Sequence, residues 1–512
     1  MSRRSTLAAV IATVSLTAAA LPVAGQSSIN QELQAAIQKE FRTLGGAVTG
    51  ACVMGPDGSI LVDVNSSTRL VPASNMKLVT TGTALHCLGQ DYRFKTGLGY
   101  SGSIGADGTL EGDLYIVGGG DPTIGVKDSI ALRPDALFWK WKTILKDAGI
   151  ERIHGRIIGD GRAFEGMLEN SSWTYDDTGT YYGTGGNALS FYENAVDLAV
   201  SPANEGEPVN VTQQYPDTPW MHFQNRSLTG PRGTGNSLYL FTTDLAPYSE
   251  LRGTFAVDRR PKTEHAANKY GAMTCAFYFH RNLLSTGWEV TGGYADIDSG
   301  GYIRGGDFIP VEKAASEPVP IGSSDSPTLA EIARETNFRS DNFYAEIIFR
   351  TIGEVASGIA VYDSCKVAQA DVLEGLMADS GYRSRSIMEG ACIEDGSGLS
   401  RKNSLSPMFL ATYLRAMEKS PSFGYFFNTL PSPDSKGSTL IGLLRSQPKD
   451  VRTRLRMKSG SMEGVMCYSG YLIPAEGGRP VTFSLMVNNA TVPSGTLRST
   501  MDRILTLLVT SL

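Results

Sequence analysis

Near the start of the chain, apolar residues recur at four-residue spacing: Leu33, Ile37 and Phe41. That period puts them on one helical face and predicts a helix over 29–41. Two runs rich in apolar residues follow, 47–54 and 59–64, on either side of Pro56-Asp57-Gly58. Strand-like segments around such a turn sequence predict an antiparallel hairpin. At the far end, 465–473 and 480–488 read as strands. Leu497, Met501, Ile504, Leu505, Leu508 and Leu512 then form an amphipathic helical stripe. A helix and hairpin at one end, with strands and a helix at the other, predict one antiparallel sheet shared by both termini and covered by helices.

The middle of the chain has a different texture. From 93 to 320 it is rich in Gly, Tyr and Asp, with short strand-like runs such as 114–117 and 153–158. It reads as a β-rich insertion of one or two domains. Helical patterning returns over 327–352: Pro327-Thr328-Leu329 is a helix start, and Phe343, Ile347 and Ile348 share a face. The expected division is 1–25 as a signal peptide, 26–92 and 321–512 as the two parts of a catalytic domain, and 93–320 as inserted domains. The fold class is α/β in the α+β sense.

Composition narrows the function. The 512 residues are 41% hydrophobic and 19% charged, as in a water-soluble globular protein. Arg3 and Arg4, the apolar run 7–24 and the small residues Val23-Ala24-Gly25 read as a secretory signal, with the mature chain expected to start at Gln26; an uncleaved membrane anchor is the alternative. Losing that segment moves the formal charge from −6 to −8. No basic run invites nucleic acid and no second apolar segment invites a membrane span, which leaves at most a peripheral membrane contact. The six cysteines form no C-x-x-C pair, so no zinc knuckle or redox motif is expected. Export permits disulfides, but apolar surroundings also suit free, buried thiols.

The strongest local motif is Ser74-Asn75-Met76-Lys77, which runs into a helical segment. Residues three apart on a helix share a face, so the Lys77 amine can take the Ser74 proton once its pKa is lowered. The pattern recurs at Ser446-Gln447-Pro448-Lys449, where Pro448 breaks the helix that gives the spacing meaning. Ser340-Asp341-Asn342 supplies a hydroxyl for proton relay and an amide for a substrate carbonyl, although a serine here also makes an ordinary helix N-cap. Lys458-Ser459-Gly460 supplies a positive charge, a hydroxyl for a carboxylate and a glycine that admits substrate to the backbone. Lys95-Thr96-Gly97 is the closer literal K-T-G, but it precedes Ser340, whereas Lys458 follows it and leads into a strand. Rival serine chemistry lacks support: there is no G-x-S-x-G elbow, and the five histidines show no triad or metal spacing.

With these motifs the chain resembles the class C low-molecular-mass penicillin-binding proteins, the D-Ala-D-Ala carboxypeptidase/endopeptidase family. Longer strings carry the likeness further. They are Gly112-Asp113-Leu114 through Gly118-Gly119-Gly120-Asp121-Pro122-Thr123, Trp173 through Gly183, Asp395-Gly396-Ser397-Gly398-Leu399-Ser400-Arg401, and Gly437-Ser438-Thr439-Leu440. The departures are Ser459 in place of the usual threonine, Tyr175 where a second tryptophan is frequent, and Ser438 beside the Thr-Leu pair.

The resemblance implies a penicillin-binding-protein/β-lactamase-like transpeptidase fold with an insertion between the first two motifs, where 262 residues separate Lys77 from Ser340. It implies a serine-type D-Ala-D-Ala carboxypeptidase, with D,D-endopeptidase action, on peptidoglycan stem peptides in the periplasm or cell envelope. Ser74, Lys77, Ser340, Asn342 and Lys458 would be catalytic; Ser459, Gly460, Ser461, Arg401 and Asp177 would bind substrate. The Ser74 and Ser461 N–H groups would make the oxyanion hole, β-lactams would acylate the enzyme, and no metal or cofactor is needed. A β-lactamase or esterase on the same fold, or a silent wall-binding protein, are the alternatives. Oligomeric state is left open.

Overall fold

The computed structural model describes residues 29–243, 246–297, 301–304, 307–310, 317–382 and 385–512. The signal-peptide segment 1–25 lies outside the described residues.

Helix α1 (Gln31–Arg42) starts at Asn30, whose side chain accepts from the Leu33 N–H at 3.0 Å. It buries Leu33, Ile37 and Phe41. Strands β1 (Val48–Met54) and β2 (Ile60–Val64) pair antiparallel across a turn in which Gly58 has φ 86°, a conformation only glycine adopts freely. At the C-terminal end β3 (Leu455–Met462), β4 (Val465–Leu472) and β5 (Val481–Asn488) form a meander. β1 pairs antiparallel with β5, so both ends of the chain build one five-stranded sheet in the order β2-β1-β5-β4-β3.

Both faces of this sheet are buried, and every position of β4 and β5 is buried, alternate and intervening alike. On β4, Met466 and Tyr468 meet α1 and the C-terminal helix, while Val465, Cys467 and Tyr471 meet the other helices. That second layer includes α2 (Met76–Leu88), α3 (Leu329–Arg339), α4 (Asn342–Ser357) and α5 (Pro407–Met417). The closing helix α6 (Ser494–Ser511) buries Leu497, Met501, Ile504, Leu505 and Leu508. α2 is buried on every side, so it shows almost no amphipathic pattern.

The segment between α2 and α3 carries several small sheets. One five-stranded sheet contains Lys95–Tyr100, Leu114–Val117 and Ile157–Asp160. The segment between α2 and α3 also contains two helices that the β-rich reading passed over, Pro134–Asp147 and Gly271–Ser285. They pack Phe138, Trp141 and Leu145 against Phe279 and Leu283. All six cysteines are free thiols, and four of them are buried.

Candidate active site

The site forms where three separate stretches of chain meet beside β3. Ser74 lies on a short 3-10 turn, Ala73–Asn75, that leads into α2. Ala73 takes a left-handed φ of 46°, which costs a non-glycine residue energy and turns Ser74 out of the helix line. One helical turn on, the fully buried Lys77 reaches back to place Nζ 3.0 Å from Ser74 Oγ. Lys77 also donates to Asn342 Oδ1 at 2.6 Å and to the Ser397 carbonyl at 2.7 Å. Burial pulls its ammonium down to about 8, even though Asp341, Asp395 and Glu346 act in the opposite direction.

The second stretch is the break between α3 and α4. The helical pattern read across 327–352 is two helices, because Ser340 ends α3 with a left-handed φ of 61°. Asp341, not Ser340, is the N-cap of α4 and accepts from the Tyr344 N–H. The Ser340 hydroxyl is therefore left for other work, and Lys458 donates to it at 2.8 Å. Asn342 is engaged at both ends of its amide: Oδ1 holds Lys77, and Nδ2 donates to the Tyr182 carbonyl at 2.9 Å.

The third stretch is β3. Lys458 is fully buried, and burial together with the neighbouring Lys77 charge holds its pKa well below the usual lysine range. Ser459 Oγ lies 2.7 Å from Thr439 Oγ1. Gly460 packs on the Ser74 turn so closely that a Cβ would stand 2.4 Å from the Pro72 carbonyl oxygen. Ser461 lines the cleft just beyond. This cleft has a volume of about 890 Å3 and is walled by Ser74, Ser340, Asn342, Arg401, Asp177 and Ser461, among others. The ten site residues read from sequence therefore gather at one place. Two competing motifs do not join them. Lys95 is exposed on a strand of another sheet, and the Lys449 side chain is 75% exposed.

Sequence reading missed the support beneath Lys77. The buried Glu346 carboxylate accepts from the Ser397 and Gly396 N–H groups at 2.7 and 3.3 Å, and so aims the Ser397 carbonyl at Lys77. Burial and the nearby Asp395 push Glu346 up to about 7. An acid inside the apolar face of α4, between Phe343 and Ile347, is the signal that could have found it. Asp395 in turn binds Trp173 Nε1 at 2.8 Å, the Gly398 and Ser400 N–H groups and Asn403. That ties the inserted segment to the loop behind the site.

A helix-borne serine–lysine pair, facing a second serine–lysine pair at the edge of an antiparallel sheet, defines the penicillin-recognising class of serine acyl-transfer enzymes. The family model of the D-Ala-D-Ala carboxypeptidase 3 (S13) family matches residues 29–508, and the chain belongs to that family. It is a serine-type peptidase hydrolase. The chain is 27% identical to a D-alanyl-D-alanine carboxypeptidase of Actinomadura sp. (strain R39), over 89% of this chain and 80% of that one. It is 24% identical to D-alanyl-D-alanine carboxypeptidase DacB of Haemophilus influenzae, over 84% of this chain and 82% of that one. In fold it is similar to penicillin binding protein 4 (dacB) from Haemophilus influenzae. The TM-score is 0.76 at 21% identity, covering 92% of this chain and 99% of the other.

Proposed function

We propose that the chain removes the terminal D-Ala of peptidoglycan stem peptides through an acyl-enzyme on Ser74. The observation that carries this is the Lys77 Nζ to Ser74 Oγ contact of 3.0 Å, in a cleft shared with the Ser340–Lys458 pair. Ser74 Oγ bonds to the penultimate D-Ala carbonyl carbon while its proton passes to Lys77 Nζ. The C–N bond then breaks, and Lys458, through the Ser340 hydroxyl, gives the leaving amine its proton. In the second step water adds its oxygen to the acyl carbon and gives a proton back to Lys458 through Ser340, while the bond to Ser74 Oγ breaks and Ser74 regains its proton from Lys77. The Ser74 and Ser461 N–H groups face the developing oxyanion, and one such donor contributes about 3 kcal/mol.

Charge placement explains how a lysine acts as base. In the empty site, burial and the Lys77 charge both disfavour the Lys458 ammonium. A substrate carboxylate held by Lys458 and Ser459 restores the Lys458 ammonium. That charge presses on Lys77 and favours its neutral, proton-accepting form. The substrate thus helps to arm its own nucleophile.

Arg401 and Asp177 bind the charged side chain of the stem peptide from the walls of the cleft. The cleft also accepts a cross-linked peptide, which gives D,D-endopeptidase action, and β-lactams acylate Ser74. We assign the catalytic domain to 26–92 and 321–512, with the protein exported to the periplasm or cell envelope after loss of 1–25. Among the described residues no helix is long and apolar enough to cross a membrane.

The test is mass spectrometry of penicillin-treated protein. The adduct is expected on the peptide containing Ser74 and is lost in Ser74→Ala. An adduct on Ser446, or none on the wild-type protein, overturns the assignment.

A further inference from the structure

The inserted segment holds an aromatic surface that the acyl-transfer chemistry does not use. Strand Ala246–Arg252 pairs in parallel with His222–Asn225 and antiparallel with Tyr239–Thr243. The register sets His222 opposite Tyr248, Phe241 opposite Glu250, and Tyr239 opposite Arg252. Alternation along the strands therefore puts these six side chains on one face. The other face carries Leu240 and Leu251, both buried in a core with Val200 and Phe255. A sheet face in contact with water normally shows polar residues. Here the solvated face is aromatic: Tyr248 is 62% exposed, and His222 stacks on it with ring centroids 4.8 Å apart.

A residue from outside the sheet completes this surface. Tyr175, 70% exposed, lies on Phe241 with centroids 5.3 Å apart and planes inclined by 23°. Tyr239 meets Phe241 edge-on, and the Arg252 guanidinium lies 5.5 Å from the Phe241 ring centre. Tyr175, Phe241, Tyr248 and Arg252, together with Gln224 and Glu250, line a shallow hollow of about 370 Å3. Tyr175 also fixes where the hollow lies. Its chain neighbours Thr174 and Asp176 both wall the catalytic cleft, and consecutive Cα atoms are about 3.8 Å apart. The aromatic hollow therefore begins one residue from the cleft wall.

We propose that this hollow is a glycan subsite, which holds the N-acetylated amino-sugar chain to which the stem peptide is attached. The inference rests on the reading of the cleft as a peptidoglycan peptidase site. A pyranose with equatorial hydroxyls presents an apolar C–H face that lies flat on aromatic rings, while its hydroxyl and acetamide groups bond to rim side chains. Exposed tyrosines over apolar support, rimmed by Gln224, Glu250 and Arg252, match both requirements. Continuity with the cleft selects this occupant, because an extended stem of three to five residues spans about 10–17 Å between its two ends. The acidic balance of the chain, −6, is wrong for a nucleic acid on the same rings.

The experiment compares two substrates with the full-length enzyme: a free pentapeptide ending in D-Ala-D-Ala, and the same peptide on an N-acetylglucosaminyl–N-acetylmuramic acid disaccharide. For the double variant Tyr175→Ala/Tyr248→Ala, kcat/KM on the disaccharide-linked substrate is expected to fall about tenfold. The free peptide and penicillin labelling should be unchanged. Tyr175→Trp, which keeps a flat ring, should retain the wild-type preference. Equal losses on both substrates, or no loss on either, overturn the glycan subsite while peptide hydrolysis by the wild type leaves the catalytic reading standing. If the wild type neither cleaves the free peptide nor takes penicillin, the catalytic reading fails first, and the subsite falls with it.

Discussion

Lys458 Nζ stands 2.8 Å from Ser340 Oγ, a contact between a strand at the edge of the central sheet and the break between two helices. Ser340 reaches it only because its backbone is left-handed and Asp341 has taken over the capping of α4. The pair sits opposite Ser74 and Lys77, so each of these two serines has its own buried lysine.

This arrangement decides between the two K-[ST]-G triplets. Lys458→Ala removes a charge-assisted hydrogen bond of about 1.5–3 kcal/mol and should slow penicillin acylation by roughly ten- to a hundredfold. Lys95→Ala, at an exposed position on a strand of another sheet, should leave the rate within about twofold, the range expected of a surface substitution. Stopped-flow acylation of the two purified variants makes the comparison. A crippled Lys95→Ala beside a normal Lys458→Ala would reverse the assignment.

The pH dependence follows from Lys77. The base must be neutral, and in the free enzyme it loses its proton near 8. The leaving amine takes its proton from Lys458, however, so the pair must keep one proton, and kcat/KM should fall as the pH rises above about 8, where the free enzyme loses it. A bound carboxylate holds that proton on Lys458, so kcat should fall at a higher pH than kcat/KM. Coincident bends would show that the substrate carboxylate does not couple the two lysines.

Gly460 tests the packing of the site without touching its chemistry. A Cβ there meets the Pro72 oxygen at 2.4 Å and the Ser74 nitrogen at 3.1 Å, and these backbone atoms belong to the turn that carries the nucleophile. Gly460→Ala should slow acylation at least tenfold, because a displacement of a fraction of an ångström at the reacting atoms is costly. A thermal melt reports whether the sheet itself survives. Full activity would mean that the turn yields freely.

What could be read from the sequence divides along physical lines. The outer layers of the central sheet were legible because α1 and α6 are half-solvated and keep a clean helical period. The site motifs were legible because each binds chemistry to local spacing, as Ser74 and Lys77 do across one turn. Glu346 was not legible, since its task depends on a loop 50 residues away that folds back over it. The Ser340 backbone was also hidden: Ser340-Asp341-Asn342 reads equally well as a cap begun by either of its first two residues. The helix Pro134–Asp147 carries a clear apolar period through Phe138, Trp141 and Leu145, but the glycine-rich texture around it outweighed that signal.

The last prediction concerns Arg401 and Asp177, the two charged residues on the walls of the cleft whose roles are proposals. Asp177 accepts from the Thr174 hydroxyl at 2.6 Å, which fixes its carboxylate at the cleft wall. Arg401 is exposed on the loop that follows the Ser397 carbonyl. Neither touches Ser74 or Lys77, so neither should affect bond-breaking itself. Arg401→Ala and Asp177→Asn should leave acylation by a small penicillin within about twofold, as expected of groups away from the reacting bond. With a stem peptide that carries a free diamino-acid side chain, each should cost about fivefold in kcat/KM, the worth of one exposed ionic contact at the upper end of its range. The same peptide with that side-chain amine acetylated should show no further penalty in Asp177→Asn, because the charge that Asp177 would meet is already gone. Equal losses on the charged and the acetylated peptides would mean that Asp177 only shapes the wall.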